Sequence, residues 1–206
     1  LPRLGRKSGR KWAVLYDFGV VSGVFMLIFA EKFDVMNEFR ELLLSRQSCR
    51  EFSAEPLAAE TVQAIVEAGL LAPSSRNGRP WQFFLIDDAS MLATLSHCKP
   101  SGAKPLESCP LAVAVCADPM QSAAWIEDCS IAAALMQLQA HDLGVASCWV
   151  QIRDRACTDD ISAEEYVAKY LGIPDHLRVE CIIALGFAAH PQPLREKELD
   201  WEKVHI

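Results

Sequence analysis

The chain has 206 residues, 51% of them hydrophobic and 23% charged, and carries a formal net charge of −7. This is the make-up of a soluble globular protein of one domain with room for a sizeable core, and its acidity argues against broad nucleic-acid binding. The eight cysteines form no Cys-x-x-Cys pair and no zinc spacing, and several sit in apolar runs; they read as buried, reduced thiols, which points to the cytoplasm.

Residues 1–35 differ from the rest. Arg3, Arg6, Lys7, Arg10 and Lys11 come without an acid, and residues 13–30 are then apolar except for Asp17. A basic start before an apolar run resembles a signal sequence or membrane anchor, and the run is just long enough to span a bilayer. Asp17 counts against a span, because a carboxylate in hydrocarbon is costly. Met36 opens a sequence that reads as the start of a helical domain. Residues 1–35 are therefore expected to be an over-extended start, an anchor that leaves the domain cytoplasmic, or an accessory helix; residues 36–206 form the domain.

Asn37 can cap a helix over about 38–46. Residues 59–71 follow as an amphipathic helix, stopped by Pro73. Trp81–Ile86 is a strand by its aromatic and β-branched content. Residues 89–97 read as helix and 98–109 as a loop broken by Pro100, Gly102 and Pro105. The unbroken apolar run Leu111–Ala117 predicts a strand buried on both faces. An alanine-rich helix over 124–143 ends at Gly144, and its small residues suit close packing, including against a second subunit. Residues 145–152 are strand-like, 162–171 helical, and 179–187 a further apolar strand. From Ala188 the chain reads as an extended tail. No Gly-x-Gly-x-x-Gly or Walker sequence is present, so a bound nucleotide must be held another way.

Two polar stretches carry the candidate chemistry. Arg46, Ser48 and Arg50 alternate, and an extended segment would project all three to one side. Two guanidiniums and a hydroxyl on one face suit an anion, phosphate above all, although a solvated surface strand would read the same way. Between the second helix and the first strand, a turn holds Ser74, Ser75, Arg76, Asn77 and Arg79. Ligand groups are often held on such loops. Asn77 can both donate and accept, which suits a heterocycle edge, although stabilising its own turn is the commoner role. Trp81 reads as core. His97, His141, His176, His190 and His205 are scattered, no Gly-x-Ser-x-Gly marks a hydrolase, and Cys148 reads as an inert buried thiol.

Four blocks in order then carry a resemblance: Arg46-Gln-Ser-Cys-Arg-Glu-Phe52; Ala72-Pro-Ser-Ser-Arg-Asn-Gly-Arg-Pro-Trp-Gln-Phe83; the stretch from Asp128 into Leu143-Gly-Val-Ala-Ser-Cys-Trp149; and Leu199-Asp-Trp-Glu-Lys-Val-His205. Over about 36–206 the chain resembles the FMN-dependent nitroreductase family. The resemblance implies an α+β fold, a mixed and mostly antiparallel sheet flanked by helices, built as an intertwined homodimer with flavin at the interface. It implies FMN as cofactor and NADH or NADPH as co-substrate. Hydride would pass through flavin N5 to a nitroaromatic, quinone or similar acceptor in a two-step exchange, with no metal and no catalytic acid or base of the protein.

By the same resemblance Arg46 and Ser48 hold the ribityl phosphate, and Arg50 gives electrostatic support beside flavin N1 and the C2 carbonyl. Asn77 hydrogen-bonds the pyrimidine side of the ring, and Ser74 is a further cofactor-binding residue. The backbone of Ser147, Cys148 and Trp149 lines the flavin from the other subunit. Arg195 and Lys197 are candidates to complete the phosphate site. Arg79 departs from the family's usual Gln. Flavin reduction, reductive dehalogenation with the 98–109 loop as lid, and a membrane-tethered non-catalytic flavin-binding protein are the alternatives.

Overall fold

The computed structural model describes residues 38–193 and 197–205. The elements of the sheet and its helices belong to the unit Arg40–Ile206. The anchor considered over 13–30 and the proposed boundary at Met36 lie outside the described residues. Among the described residues, no helix is long and apolar enough to cross a membrane.

Helix α1 runs through residue 45, and α2 spans Ala59–Leu70. A 3-10 turn at Ser75–Asn77 leads into β1, Trp81–Ile86. Then come α3 (Ala89–Leu95), the short α4 (Pro105–Ser108) and β2 (Leu111–Ala117). They are followed by α5 (Trp125–Asp142), β3 (Ala146–Gln151), α6 (Ala163–Leu171) and β4 (Arg178–Gly186). The stretch expected as an open loop over 98–109 contains α4, which Pro105 opens at a position where its missing N–H costs nothing. Residues 188–193 are irregular as expected, and the tail adds a 3-10 turn at Trp201–Lys203.

The four strands form one sheet in the order β1-β2-β4-β3, every neighbouring pair antiparallel. The expected α+β fold with a mostly antiparallel sheet is therefore observed. The mixed element is a parallel bridge between Ser48 and Ser147, where the Cys49 N–H donates to the Ser147 carbonyl at 2.9 Å. All seven residues of β2 are buried, because helices cover both faces. Val113, Val115, Ile183 and Leu185 pack with Ile65 of α2 and Met136 of α5 on one face. Ala112, Ala114, Ile182 and Val150 pack with Leu92 of α3 and Val167 of α6 on the other. The α2–α5 contact is close because Gly69 has no side chain: a Cβ there would stand 3.1 Å from Phe83 Cζ and collide with Met136.

One irregularity interrupts the β2–β4 pairing. Val115 pairs with Cys181 but Cys116 pairs with Val179, so Glu180 is the extra residue of a β-bulge. Its carboxylate is buried and pairs with Arg153 Nε at 2.6 Å.

Candidate functional site

The Arg46–Arg50 segment lies along the free edge of β3. Cys49 turns inward and is fully buried, while Ser48 and Arg50 face the opposite way into two adjoining recesses. Ser48 and Arg50 thus share a side as their spacing predicts, whereas Arg46, expected on the same side, does not join them. The larger recess is a cavity of about 760 Å³, within the range of roughly 300–1,000 Å³ usual for small-molecule sites. Cys148 and Trp149 form part of its wall. The smaller, of about 240 Å³, runs from Ser48 and Arg50 to His190 and Pro193. Arg46 lines neither. It stands instead near His141 and Lys197, whose pKa values its charge helps to lower after burial, the larger cause. Lys197 Nζ donates to the carbonyls of Leu43 and Arg46, the latter at 2.7 Å, and so closes the last turn of α1. Arg195 lies outside the described residues.

Ser147 and Trp149 therefore meet Arg50 within one chain; no second subunit is needed to bring β3 to this segment. The Ser74–Arg79 turn is placed differently. It precedes β1, on the opposite edge of the sheet from β3, and joins the end where Trp81 pairs with Ala117. Ser147 lies near the other end, where Ala146 pairs with Gly186. Three strand spacings of about 4.8 Å separate the two edges, about 14 Å before the diagonal is counted. One chain thus keeps Asn77 and Arg50 at opposite corners.

The turn itself is held under strain. Arg76, Asn77 and Arg79 all have positive φ, at 53°, 55° and 47°, a region that non-glycine residues leave unless their surroundings hold them there. Three contacts supply the hold. The Ser75 N–H donates to Asp128 Oδ1 at 2.8 Å, the Arg79 N–H donates to Ser74 Oγ at 2.9 Å, and Arg79 Nε donates to Asn77 Oδ1 at 3.1 Å. The last contact gives the departing Arg79 a local task. It occupies the acceptor of Asn77 and leaves the amide N–H groups as donors.

Several site residues were not singled out by the sequence. Asp128, in the first turn of α5, is only 2% exposed and also accepts from Ser122 Oγ at 2.9 Å. Gln151 accepts from the Trp149 indole N–H at 2.9 Å and donates to Glu180 Oε1 at 3.3 Å, so the bulge carboxylate fixes the Trp149 ring through Gln151. Lys99, Lys104 and Arg155 also line the larger cavity. Their only signal in the sequence is basic residues in the loops after α3 and β3. Trp81 is core, as expected. Seven of the eight thiols are buried, and burial raises the pKa of Cys148, with nearby Arg50 opposing it.

The fold and this edge site define a chain built like the flavin-handling α+β oxidoreductases. The nitroreductase family model matches residues 43–109 and 117–187, and the chain belongs to the nitroreductase family. It is 40% identical to an FMN-dependent nitroreductase from Clostridium difficile R20291, with a TM-score of 0.78 over 80% of this chain and 96% of that one. A nitroreductase with bound FMN from Bacteroides fragilis is 28% identical, with a TM-score of 0.67 over 81% of this chain and 96% of that one. A protein of Archaeoglobus fulgidus with the provisional name NADH dehydrogenase/NAD(P)H nitroreductase is 31% identical over 74% of this chain and 86% of its own length.

Proposed function

We propose that residues 36–206 form an FMN-dependent oxidoreductase that takes reducing equivalents from NADH or NADPH and delivers them to a nitroaromatic, quinone or similar acceptor in the cytoplasm. The observation that carries the reading is the larger cavity, where Ser48, Arg50 and the Trp149 wall converge on a volume suited to a ring system. The chemistry of the lining fits FMN. Hydroxyl and guanidinium donors match phosphate and carbonyl oxygens, and the Trp149 wall matches a flat heterocycle. Bound FMN supplies the relay of hydride from nicotinamide to acceptor.

The chain's own residues hold, orient and polarise. Arg46 and Ser48 bind the phosphate, with Arg195 a further candidate. Arg50 stands where negative charge collects on reduction and stabilises it without a proton transfer. Ser147, Cys148 and Trp149 line the cavity, and the Gln151–Glu180 pair keeps the indole in place. Ser74 and Asn77 reach the same site only from a second copy, because the sheet keeps them at the far corner of their own chain. A homodimer with two composite sites follows. In this reading the Ser74–Arg79 turn, rather than the 147–149 backbone, is the part the other subunit contributes.

The purified protein is expected to be yellow, to release FMN on denaturation, and to bleach with NADH or NADPH without oxygen. Arg50→Ala removes one charge-assisted contact worth about 1.5–3 kcal/mol, or roughly 10- to 100-fold in FMN affinity. A colourless protein that cannot be reconstituted with FMN would sink the reading. Flavin that never bleaches would mark a non-catalytic flavin binder.

A further inference from the structure

The larger cavity holds more positive charge than the cofactor reading uses. Besides Arg50, it is lined by Lys99, Lys104 and Arg155. Glu51 and Glu107 also line it. Yet among the described residues none of these cations has a carboxylate oxygen within the 4.0 Å that defines an ion pair. The three come from two distant stretches of chain, which the fold brings to one wall beside Trp149 and Gln151.

Lys99 is held in place. Its Nζ donates to the Gln151 carbonyl at 2.8 Å, which leaves two ammonium hydrogens unassigned. Gly102, at φ +79°, turns the loop back against it; a Cβ there would stand 3.6 Å from Lys99 Nζ. Burial lowers the pKa of this ammonium, and the charge of Arg155 adds to the effect. Gathering like charges in a partly enclosed space is unfavourable unless an anion joins them. Of the proposed phosphate ligands, Ser48 shares this cavity with the three cations and Arg46 lies outside it.

We propose that Lys99 and Arg155, together with Lys104, form the binding site for a carboxylate on the electron acceptor, so that this enzyme prefers acidic aromatic acceptors over neutral ones. The inference rests on the flavin reading for its chemistry but not for its charge pattern. Lys99 anchors on the backbone carbonyl of Gln151, the residue whose side chain accepts from the Trp149 indole, so the acceptor's acidic group and the aromatic wall share one frame.

The test compares para-nitrobenzoate with its neutral isostere para-nitrobenzamide as acceptors for the holoenzyme. The wild type is expected to favour the carboxylate by about tenfold in kcat/KM, mainly through KM, and added salt is expected to narrow the gap. The Lys99→Gln/Arg155→Gln double variant is expected to bring the ratio close to one, while Arg155→Lys, which keeps the charge, retains most of it. An unchanged ratio in the double variant overturns the proposal. So does a change confined to the KM for NADH or NADPH, which would assign the cations to the reductant. Flavin content is measured separately. If the protein neither holds nor takes up FMN, the flavin reading fails alone. Calorimetric binding of para-nitrobenzoate, retained in the wild type and lost in the double variant, then still supports the anion site; equal binding by both overturns it.

Discussion

Asp128 is the buried carboxylate on which the strained turn depends. At 2% exposure it accepts from the Ser75 backbone N–H at 2.8 Å and from the Ser122 hydroxyl at 2.9 Å. Hydrogen bonds to a charged acceptor contribute about 1.5–3 kcal/mol each, and a buried donor left alone costs a further fraction. Ser122 can recover part of this by rotating; the backbone N–H cannot. Asp128→Ala should therefore lose about 3–5 kcal/mol, a large share of the roughly 5–15 kcal/mol that holds a domain together. Asp128→Asn keeps one acceptor for Ser75 while Ser122 turns to accept from the new amide, so about 1 kcal/mol is expected. Urea unfolding at fixed protein concentration measures both. With a slope of about 2–3 kcal/mol per molar, the Ala variant's midpoint should fall by roughly 1–2.5 M. FMN affinity should fall further than stability alone requires, because Asn77 loses its hold. A loss below about 1 kcal/mol for Asp128→Ala, or equal losses for the two variants, would refute this account of the turn.

Two further predictions follow from burial. Cys157 is the one thiol not buried; burial pushes Cys98 up to about 11 and Cys109 and Cys129 up to about 12. A disulfide reagent at pH 8 should thus modify about one thiol quickly in the native protein, and rapid reaction of several would contradict the packing. His141 bonds Ser45 Oγ at 2.8 Å, and burial first, then Arg46 and Lys197, hold its pKa below the ordinary 6.5, against a smaller pull from Asp142. Its contribution to stability is therefore present above about pH 6.5 and lost as pH falls below it. Unfolding followed from pH 7 to 5 should show a smaller decline for His141→Asn than for the wild type; parallel curves would refute it.

The sequence reveals what is local. Trp81–Ile86 and Leu111–Ala117 are found where composition and an unbroken apolar run place them, and the stop at Pro73 and the end near Gly144 hold to within two residues. The alternation of Arg46, Ser48 and Arg50 correctly predicts that Ser48 and Arg50 share a face. What stays hidden is set by distant pairing. The order β1-β2-β4-β3 sends Asn77 and Arg50 to opposite corners, and no window along the chain contains that fact. The bulge at Glu180 sits inside a run that reads as a plain strand. Lys99 and Arg155 lie 56 positions apart, and only the folded wall makes them neighbours. Asp128 reads as an ordinary acidic residue of a helix's first turn, because its partners Ser75 and Ser122 lie in loops.

The central claim, that Arg50 of one copy and Asn77 of the other complete one flavin site, has a direct measurement. Arg50→Ala and Asn77→Ala chains carrying different tags are co-expressed, the mixed dimer is purified through both tags, and its FMN binding is titrated. Composite sites predict one site of near wild-type affinity and one doubly impaired site per mixed dimer. Two equally weakened sites, with no recovery over either parent variant, would contradict the account.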